Sequence, residues 1–372
     1  MNRSQPFEIT VAQLFEAYYD CRRSKRHTAT ARAFEIDLEH NLMALLDELR
    51  SGTWRPSPAP VFVVKHPKPR EVWAAAFRDR IVHHLVYRAI GPGFERAFIH
   101  DSCACIKGRG TLYAVDRLER HLRGETENWS KPAFYLKADI ANFFGSIRQA
   151  DLFAMLTRGI KDPTILDLCR HLVFQDVKLD AIIRSSPSDL ALVLPRKSLF
   201  HAAPGIGLPI GNLSSQFFAN VYLDGLDQLI KRRLGFRHYC RYVDDMVLVD
   251  RDPQRLRTAA DAIRDYLATI GLALAERKTS IAPAALGIDF VGTVIRPHRR
   301  SGRPKTHRNA LRRLVAADRR DFAARCNSYL GLARHAGNRS QRIDLCRLAI
   351  RRGFRIDRDL TKVIIHKREV RS

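Results

Sequence analysis

Apolar side chains recur every three to four residues over two opening stretches: Val11, Leu14, Phe15 and Tyr18, then Phe34, Leu38, Leu42, Leu45, Leu46 and Leu49. That period lines one face of a helix, so residues 8–50 read as helical. Ser51-Gly52 ends the second helix, and Pro56, Pro58 and Pro60 make a stiff link. The run VFVV (61–64) predicts a strand, KHPKPR (65–70) a basic turn, and EVWAAAF the opening of a further strand or helix. Residues 77–98 are helical in pattern until Gly91-Pro92-Gly93 interrupts them, and 112–122 form an amphipathic helix. AFYLKADIANFF (133–144) begins as a strand and ends in a turn, after which 152–174 return to helix. Residues 175–204 are mixed and polar with several prolines, which predicts an inserted loop. A long helix over 213–234, a hairpin over 238–250, a helix over 254–270 and a strand pair over 287–295 follow. From 296 the chain is Arg-rich and reads as helical to its end, with no internal repeat or low-complexity tract.

A chain of 372 residues suits two or three packed subdomains, and 45% hydrophobic with 28% charged residues belongs to a folded protein. Charge changes the picture more. Lys and Arg number 64 against 39 acids, a net charge of +25 that points to a polyanionic partner. A generally Arg-rich proteome would explain the arginines, but not the acids described next. Seven cysteines form no CxxC pair, and Cys103-Ala-Cys105 is too tight for a usual zinc knuckle. They read as reduced thiols of a cytosolic protein. MNRSQPFEIT has no apolar leader core and no stretch reaches 18 apolar residues, so the expectation is a cytoplasmic protein without a membrane span.

The chemistry lies in two acidic stretches. Asp139 closes an apolar strand in LKADIANFFGSI, and Asp244-Asp245 sit at the centre of the hairpin CRYVDDMVLVD. Alone, Asp139 is as well explained by a helix cap, and the aspartate pair by a solvated turn. Together, three carboxylates brought close would repel one another unless a cation joined them. Mg²⁺ prefers carboxylate oxygen, and two ions about 3.5–4 Å apart can activate a 3′-hydroxyl and stabilise departing pyrophosphate.

YVDD between apolar strands, LKADIANFFGSI about a hundred residues earlier, and GLPIGNLSSQFFANVYLDGLD between them resemble the palm motifs of reverse transcriptases, in the same order. The nearest likeness is to bacterial enzymes of the diversity-generating-retroelement type, which carry a GLPIGNLTSQ-like segment; retron, group II intron and antiphage-defence enzymes are related. FRDRIVHHLVYRAI and IHDSCACIKGRGT belong to the likeness, which runs over about 55–300. Val243 stands where that type often has Met.

The resemblance implies an α+β right-hand polymerase: an N-terminal helical extension (1–54), fingers (55–132), a palm of antiparallel sheet on helices (133–295, with the 175–204 insertion) and a basic helical thumb (296–372). It makes Asp139, Asp244 and Asp245 catalytic metal ligands with the Ile140 carbonyl, for two Mg²⁺ that Mn²⁺ can replace. Phe144 becomes the gate beneath the sugar that rejects a 2′-hydroxyl. The 207–211 loop, with Ile210 and Gly211, and Gln216 would contact the incoming nucleotide; many retroviral enzymes have Gln where Ile210 stands, so that polar contact is missing here. Asn212 would cap the following helix. Lys65, Lys68 and Arg70 would grip the triphosphate, and Lys278 would protonate pyrophosphate. In IDFVGTV, Phe290 and Gly292 would place the primer end. RPHRRSGRPKTHRNALRR, with Arg299, Arg300, Arg303 and Lys305, would track phosphates, as RRSKRH (22–27) would to a lesser degree. Expected partners are an RNA template or structured noncoding RNA, DNA product and dNTPs, with an accessory protein or oligomer. A nucleic-acid-binding scaffold with weak or untemplated synthesis is the alternative, and a two-metal nuclease finds no supporting acid cluster.

Overall fold

The computed structural model describes residues 8–23, 25–336 and 338–364. MNRSQPF, Ser24 of RRSKRH and the last eight residues of the predicted C-terminal helix lie outside the described residues. The chain opens with α1 (Val11–Arg22), α2 (Ala29–Glu35) and α3 (Leu38–Ser51), then β1 (Pro60–Val64), β2 (Arg70–Trp73), α4 (Phe77–Ala97) and α5 (Thr111–Glu125). Next come β3 (Phe134–Asp139), α6 (Phe143–Ser146), α7 (Gln149–Gly159), α8 (Pro163–Phe174), β4 (Ile182–Ile183) and α9 (Pro187–Leu190). They lead to α10 (Leu213–Gln228), β5 (Tyr239–Tyr242), β6 (Asp245–Asp250), α11 (Pro253–Thr269) and β7 (Ser280–Pro283). The last are β8 (Ile288–Phe290), β9 (Thr293–Arg296), β10 (Arg299–Gly302), α12 (Pro304–Val315), α13 (Arg319–His335), α14 (Arg339–Arg351), β11 (Arg355–Ile356) and β12 (Val363–Ile364). Helices with mostly antiparallel strand pairs make the α+β class that the resemblance implied.

Two compact units result. The first takes in the chain up to Lys107, Asp139–Gly235 and Asp261–Glu276; the second takes in Gly108–Ala138, Phe236–Ala260 and the chain from Arg277.

In the first unit, a capping box between Thr10 and Gln13 starts α1, which buries Leu14, Ala17, Tyr18 and Cys21. Gly52, at φ +71, ends α3 as the sequence foretold. The interruption expected at Gly91-Pro92-Gly93 does not occur: α4 runs through it to Ala97. An internal proline removes one hydrogen bond and costs about 3 kcal/mol. Burial of Ile81, Val82, Leu85, Val86 and Ile90 outweighs that cost, and Tyr87 Oη donates to Glu95 across the weak point. The single helix read over 152–174 is two. Asp162 caps α8 by accepting from Ile165 N at 2.9 Å, and Pro163 fixes its first turn. Residues 175–204 do not merely loop out: β4 pairs in parallel with β1, giving the sheet order β2-β1-β4.

In the second unit, β5-β6-β3-β7 form one sheet and β8, β9 and β10 another. The helical reading from 296 fails at its start, because Arg296 and Ile295 pair with Arg299 and Arg300 across a Pro297-His298 turn. Helix begins only at Pro304, the favoured first-turn residue. Behind it α12–α14 enclose Leu314, Phe322, Cys326, Leu330, Leu345, Ala349 and Phe354, and β11-β12 close the described chain instead of helix. All seven cysteines are free thiols, and among the described residues no helix is long and apolar enough to cross a membrane.

Candidate active site

Tyr242 pairs with Asp245 across the β5–β6 hairpin, which leaves Val243 and Asp244 as a two-residue turn. Such turns need a left-handed backbone at their first loop position, normally supplied by Gly. Here Val243 holds φ +56. A β-branched side chain in that region is strained by about 1–3 kcal/mol. Two features offset it. Residues 246–249 of β6 are fully buried and fix the strand in place. Arg241 on β5, only 1% exposed, turns back so that its Nη1 donates to the Val243 carbonyl at 2.9 Å. A charged donor makes such a bond about 1.5–3 kcal/mol strong.

β6 neighbours β3 in the sheet. Lys137 Nζ on β3 lies 3.4 Å from Asp245 Oδ2. On the other flank β7 runs antiparallel to β3 in the register Lys137↔Ser280. Lys278 is exposed in the short turn just before β7. Lys137 Nζ also donates to the Asp289 carbonyl on β8, and burial, helped by the Asp289 carboxylate, raises the Tyr135 phenol above its ordinary value.

The first unit assembles the residues expected to read the nucleotide. Ile140 is buried and bridges Leu274, while Asp139 O accepts from Ala275 N at 2.7 Å. After the left-handed Asn142, Phe143 is buried and Phe144 half-buried against it, with ring centroids 5.2 Å apart. The 207–211 loop is sewn to this segment: Gly207 N donates to Ile147 O and Leu208 N to Phe144 O, each at 2.8 Å. At its far end Trp73 N donates to Ile210 O at 2.7 Å, so β2 also joins the loop. Gly211, at φ +132, has no room for a Cβ, which would meet Trp73 O and Val72 Cγ1 at 2.9 Å. Asn212 stands at the N-cap of α10 without making the cap bond expected of it; its Oδ1 accepts from Ala75 N at 3.0 Å instead. Phe144, Ile210 and Gly211 are thus brought together, and Gln216 is exposed one turn into α10. Lys65, Lys68 and Arg70 are exposed at the opposite end of the β1–β2 hairpin from Trp73. Lys65 reaches Asp189 at 2.7 Å.

The proposed primer and phosphate contacts divide. Phe290 is fully buried core, and Gly292 (φ +88) turns β8 into β9. Arg299 and Lys305 are exposed. Arg300 is held by Asp116 and Glu119 of α5; partial burial opposes its charge, but the two carboxylates raise its affinity for the proton above the ordinary value. Arg303 Nη2 donates to Asp289 Oδ1 at 2.7 Å. Both arginines therefore already serve the protein's own packing. Arg241, Lys137 and Trp73 were not singled out by sequence; only their places beside the YVDD, LKAD and hairpin stretches hinted at them.

The donors fit a hard divalent cation. They are carboxylates and a carbonyl, the oxygen ligands such ions prefer, and Mg²⁺ commonly takes one or two carboxylates with substrate phosphates and water rather than a protein cage. Among the described residues no group of three or more His, Cys, Asp or Glu forms such a cage. Lys137 Nζ lies 3.4 Å from Asp245 Oδ2, a cation already beside one of the three carboxylates.

Among curated protein sequences none matches the chain. Among solved structures it is similar to apo telomerase from Candida tropicalis truncated from its C-terminal domain, at 12% identity over 64% of this chain and 53% of that one, with a TM-score of 0.48. It is also similar to telomerase from Candida albicans in complex with the TWJ fragment of telomeric RNA, at 11% identity over 74% of this chain and 49% of that one, TM-score 0.48. The chain spans about half the length of these two proteins. The profile described as reverse transcriptase (RNA-dependent DNA polymerase) matches residues 65–295. Mixed helices and antiparallel sheets accord with the right-hand polymerase fold of that family. Because the match covers more than half the chain and takes in both acidic stretches and the loop between them, the chain belongs to the reverse transcriptase family.

Proposed function

We propose that this protein is an RNA-directed DNA polymerase that adds dNTPs to a primer 3′ end. The observation that carries the reading is the reverse transcriptase match over residues 65–295, which takes in Asp139, the 207–211 loop and the Asp244-Asp245 turn. Asp139 and Asp244 would hold divalent cations, with the Ile140 carbonyl as an added ligand. Two bound Mg²⁺ or Mn²⁺ would acidify the 3′-hydroxyl and offset charge on the phosphates. Asp245 would be the third acid of that set, with Lys137 Nζ 3.4 Å from it. Phe144 lies under the sugar and excludes a 2′-hydroxyl, while the backbone of 207–211 contacts base and ribose and Gln216 flanks them. Lys68 and Arg70, with Lys65, bind the triphosphate, and Arg's planar fork suits phosphate best. Lys278 delivers a proton to the leaving pyrophosphate. Gly292, Arg299 and Lys305 lie along the primer and template path, and Phe290 supports it from the core.

In the same reading, 1–54 is an extension, 55–132 the fingers, 133–295 the palm and 296–372 the thumb. The motif likeness favours a bacterial enzyme of the diversity-generating-retroelement type, working with a noncoding RNA and an accessory protein in a retroelement or an antiphage system in the cytoplasm.

The test is primer extension by the full chain on a primed RNA template with four dNTPs and Mg²⁺ or Mn²⁺. Extension is expected for the native protein and absent for Asp244→Ala. Equal incorporation by the two would sink the assignment. Sequencing the product shows whether it follows the template; a product unrelated to the template would favour the untemplated alternative.

A further inference from the structure

The acidic turn holds a conformation its own residues disfavour, and the structure assigns that burden to Arg241. We propose that Arg241 is a positioning residue that keeps Val243 left-handed and so sets where the Asp244 carboxylate stands; the inference rests on the polymerase reading for its kinetic consequences.

The observations converge within one hairpin. Arg241 lies on β5 opposite Met246, with its whole side chain buried. Arginine is almost never so buried without partners that satisfy its charge. One partner is the Val243 carbonyl at 2.9 Å, two residues along the same chain and inside the turn. That carbonyl belongs to the peptide joining Val243 to Asp244, so fixing its direction fixes the plane from which the Asp244 side chain departs. Val243 itself, at φ +56, would relax toward an ordinary β conformation if the carbonyl were released. Relaxation would swing the Asp244 backbone. A displacement of about 1 Å in a group that orients reactants costs roughly 10²-fold in rate. Arginine also reaches the carbonyl with a rigid fork that lysine lacks, so the two are not equivalent here. Glycine at 243 would remove the reason for the clamp, because its backbone enters the left-handed region without strain.

This makes a coupling that a merely structural residue would not produce. In full-length protein, Arg241→Met and Arg241→Lys are compared in the native background and in a Val243→Gly background. On primed RNA with Mg²⁺, Arg241→Met is expected to lower kcat by about 10²-fold and leave KM for dNTP within about threefold. Arg241→Lys should fall between the two. In the Val243→Gly background the same Arg241→Met change should cost about tenfold or less. An equal cost in both backgrounds, or a loss confined to KM, would overturn the proposal. The same cycle read in thermal unfolding midpoints needs no activity: Arg241→Met should lower the midpoint less when residue 243 is glycine, and strict additivity counts against the clamp. If the native protein extends no primer yet the midpoints couple, the polymerase reading fails while the clamp stands.

Discussion

Two hairpins of the second unit turn through a valine in the left-handed region, by different means. In β8–β9 the valine is Val291 (φ +43), followed by Gly292 (φ +88), and the Gly292 carbonyl accepts from Arg303 N at 3.0 Å. Nothing lies within 4 Å of where a Gly292 Cβ would stand, so glycine is needed there for its backbone and not for space. In β5–β6 the valine is Val243, and the next position carries Asp244. A glycine would be the cheaper choice, but it could bring no carboxylate. The strain is instead met by the buried Arg241, whose Nη1 holds the Val243 carbonyl. Backbone strain that persists only because its surroundings enforce it is typical of functional turns, and the β5–β6 turn carries such strain.

The contrast can be broken at several points. The largest effect belongs to the acids: Asp244→Asn should cut kcat by at least about 10³-fold while leaving the unfolding midpoint near native, as loss of a group acting on the reaction centre does. Retained turnover would show that the turn is not the reaction centre. Next, Lys137→Met should cost roughly tenfold in kcat, since it removes a cation beside Asp245 but leaves Asp139 and Asp244 unchanged; a loss as large as that of Asp244→Asn would make Lys137 a participant rather than a support. For the other hairpin the balance reverses. Gly292→Ala should lower stability by about 1 kcal/mol in denaturant unfolding, because alanine disfavours φ near +90°, with a smaller effect on kcat than on folding. The smallest effect is at Val291→Gly, expected to change stability by no more than about 1 kcal/mol, as relief of the strained φ offsets added freedom in the unfolded chain.

Much of the molecule is legible in its sequence. The YVDD hairpin, the strand ending at Asp139 and the glycine at the end of α3 appear where period and turn chemistry placed them, because each depends on neighbours a few residues apart. The misreadings share a cause. Gly91-Pro92-Gly93 reads as a break when α4 is taken alone, yet long-range burial of Ile81, Val82, Leu85 and Ile90 keeps the helix whole. Likewise 175–204 looks like an insertion, yet its Ile182-Ile183 finds β1 more than a hundred residues away. Arg299 and Arg300 belong to a run with good helix formers, but strand pairing with Arg296 and Ile295 prevailed.

The candidate site divides in the same way. Sequence alone determined its residue types: which residues are carboxylates, which loop is rich in glycine, and that the chain carries a net charge of +25. Only the tertiary structure decided which charged groups find partners inside the fold. Arg300 and Arg303 read like phosphate contacts and are held by Asp116, Glu119 and Asp289, while Arg241 and Lys137, unremarked in the sequence, support the acidic turn. The physical reason is that charge is a property of a residue, but its use depends on the nearest opposite charge or carbonyl, and only folding determines which group that is.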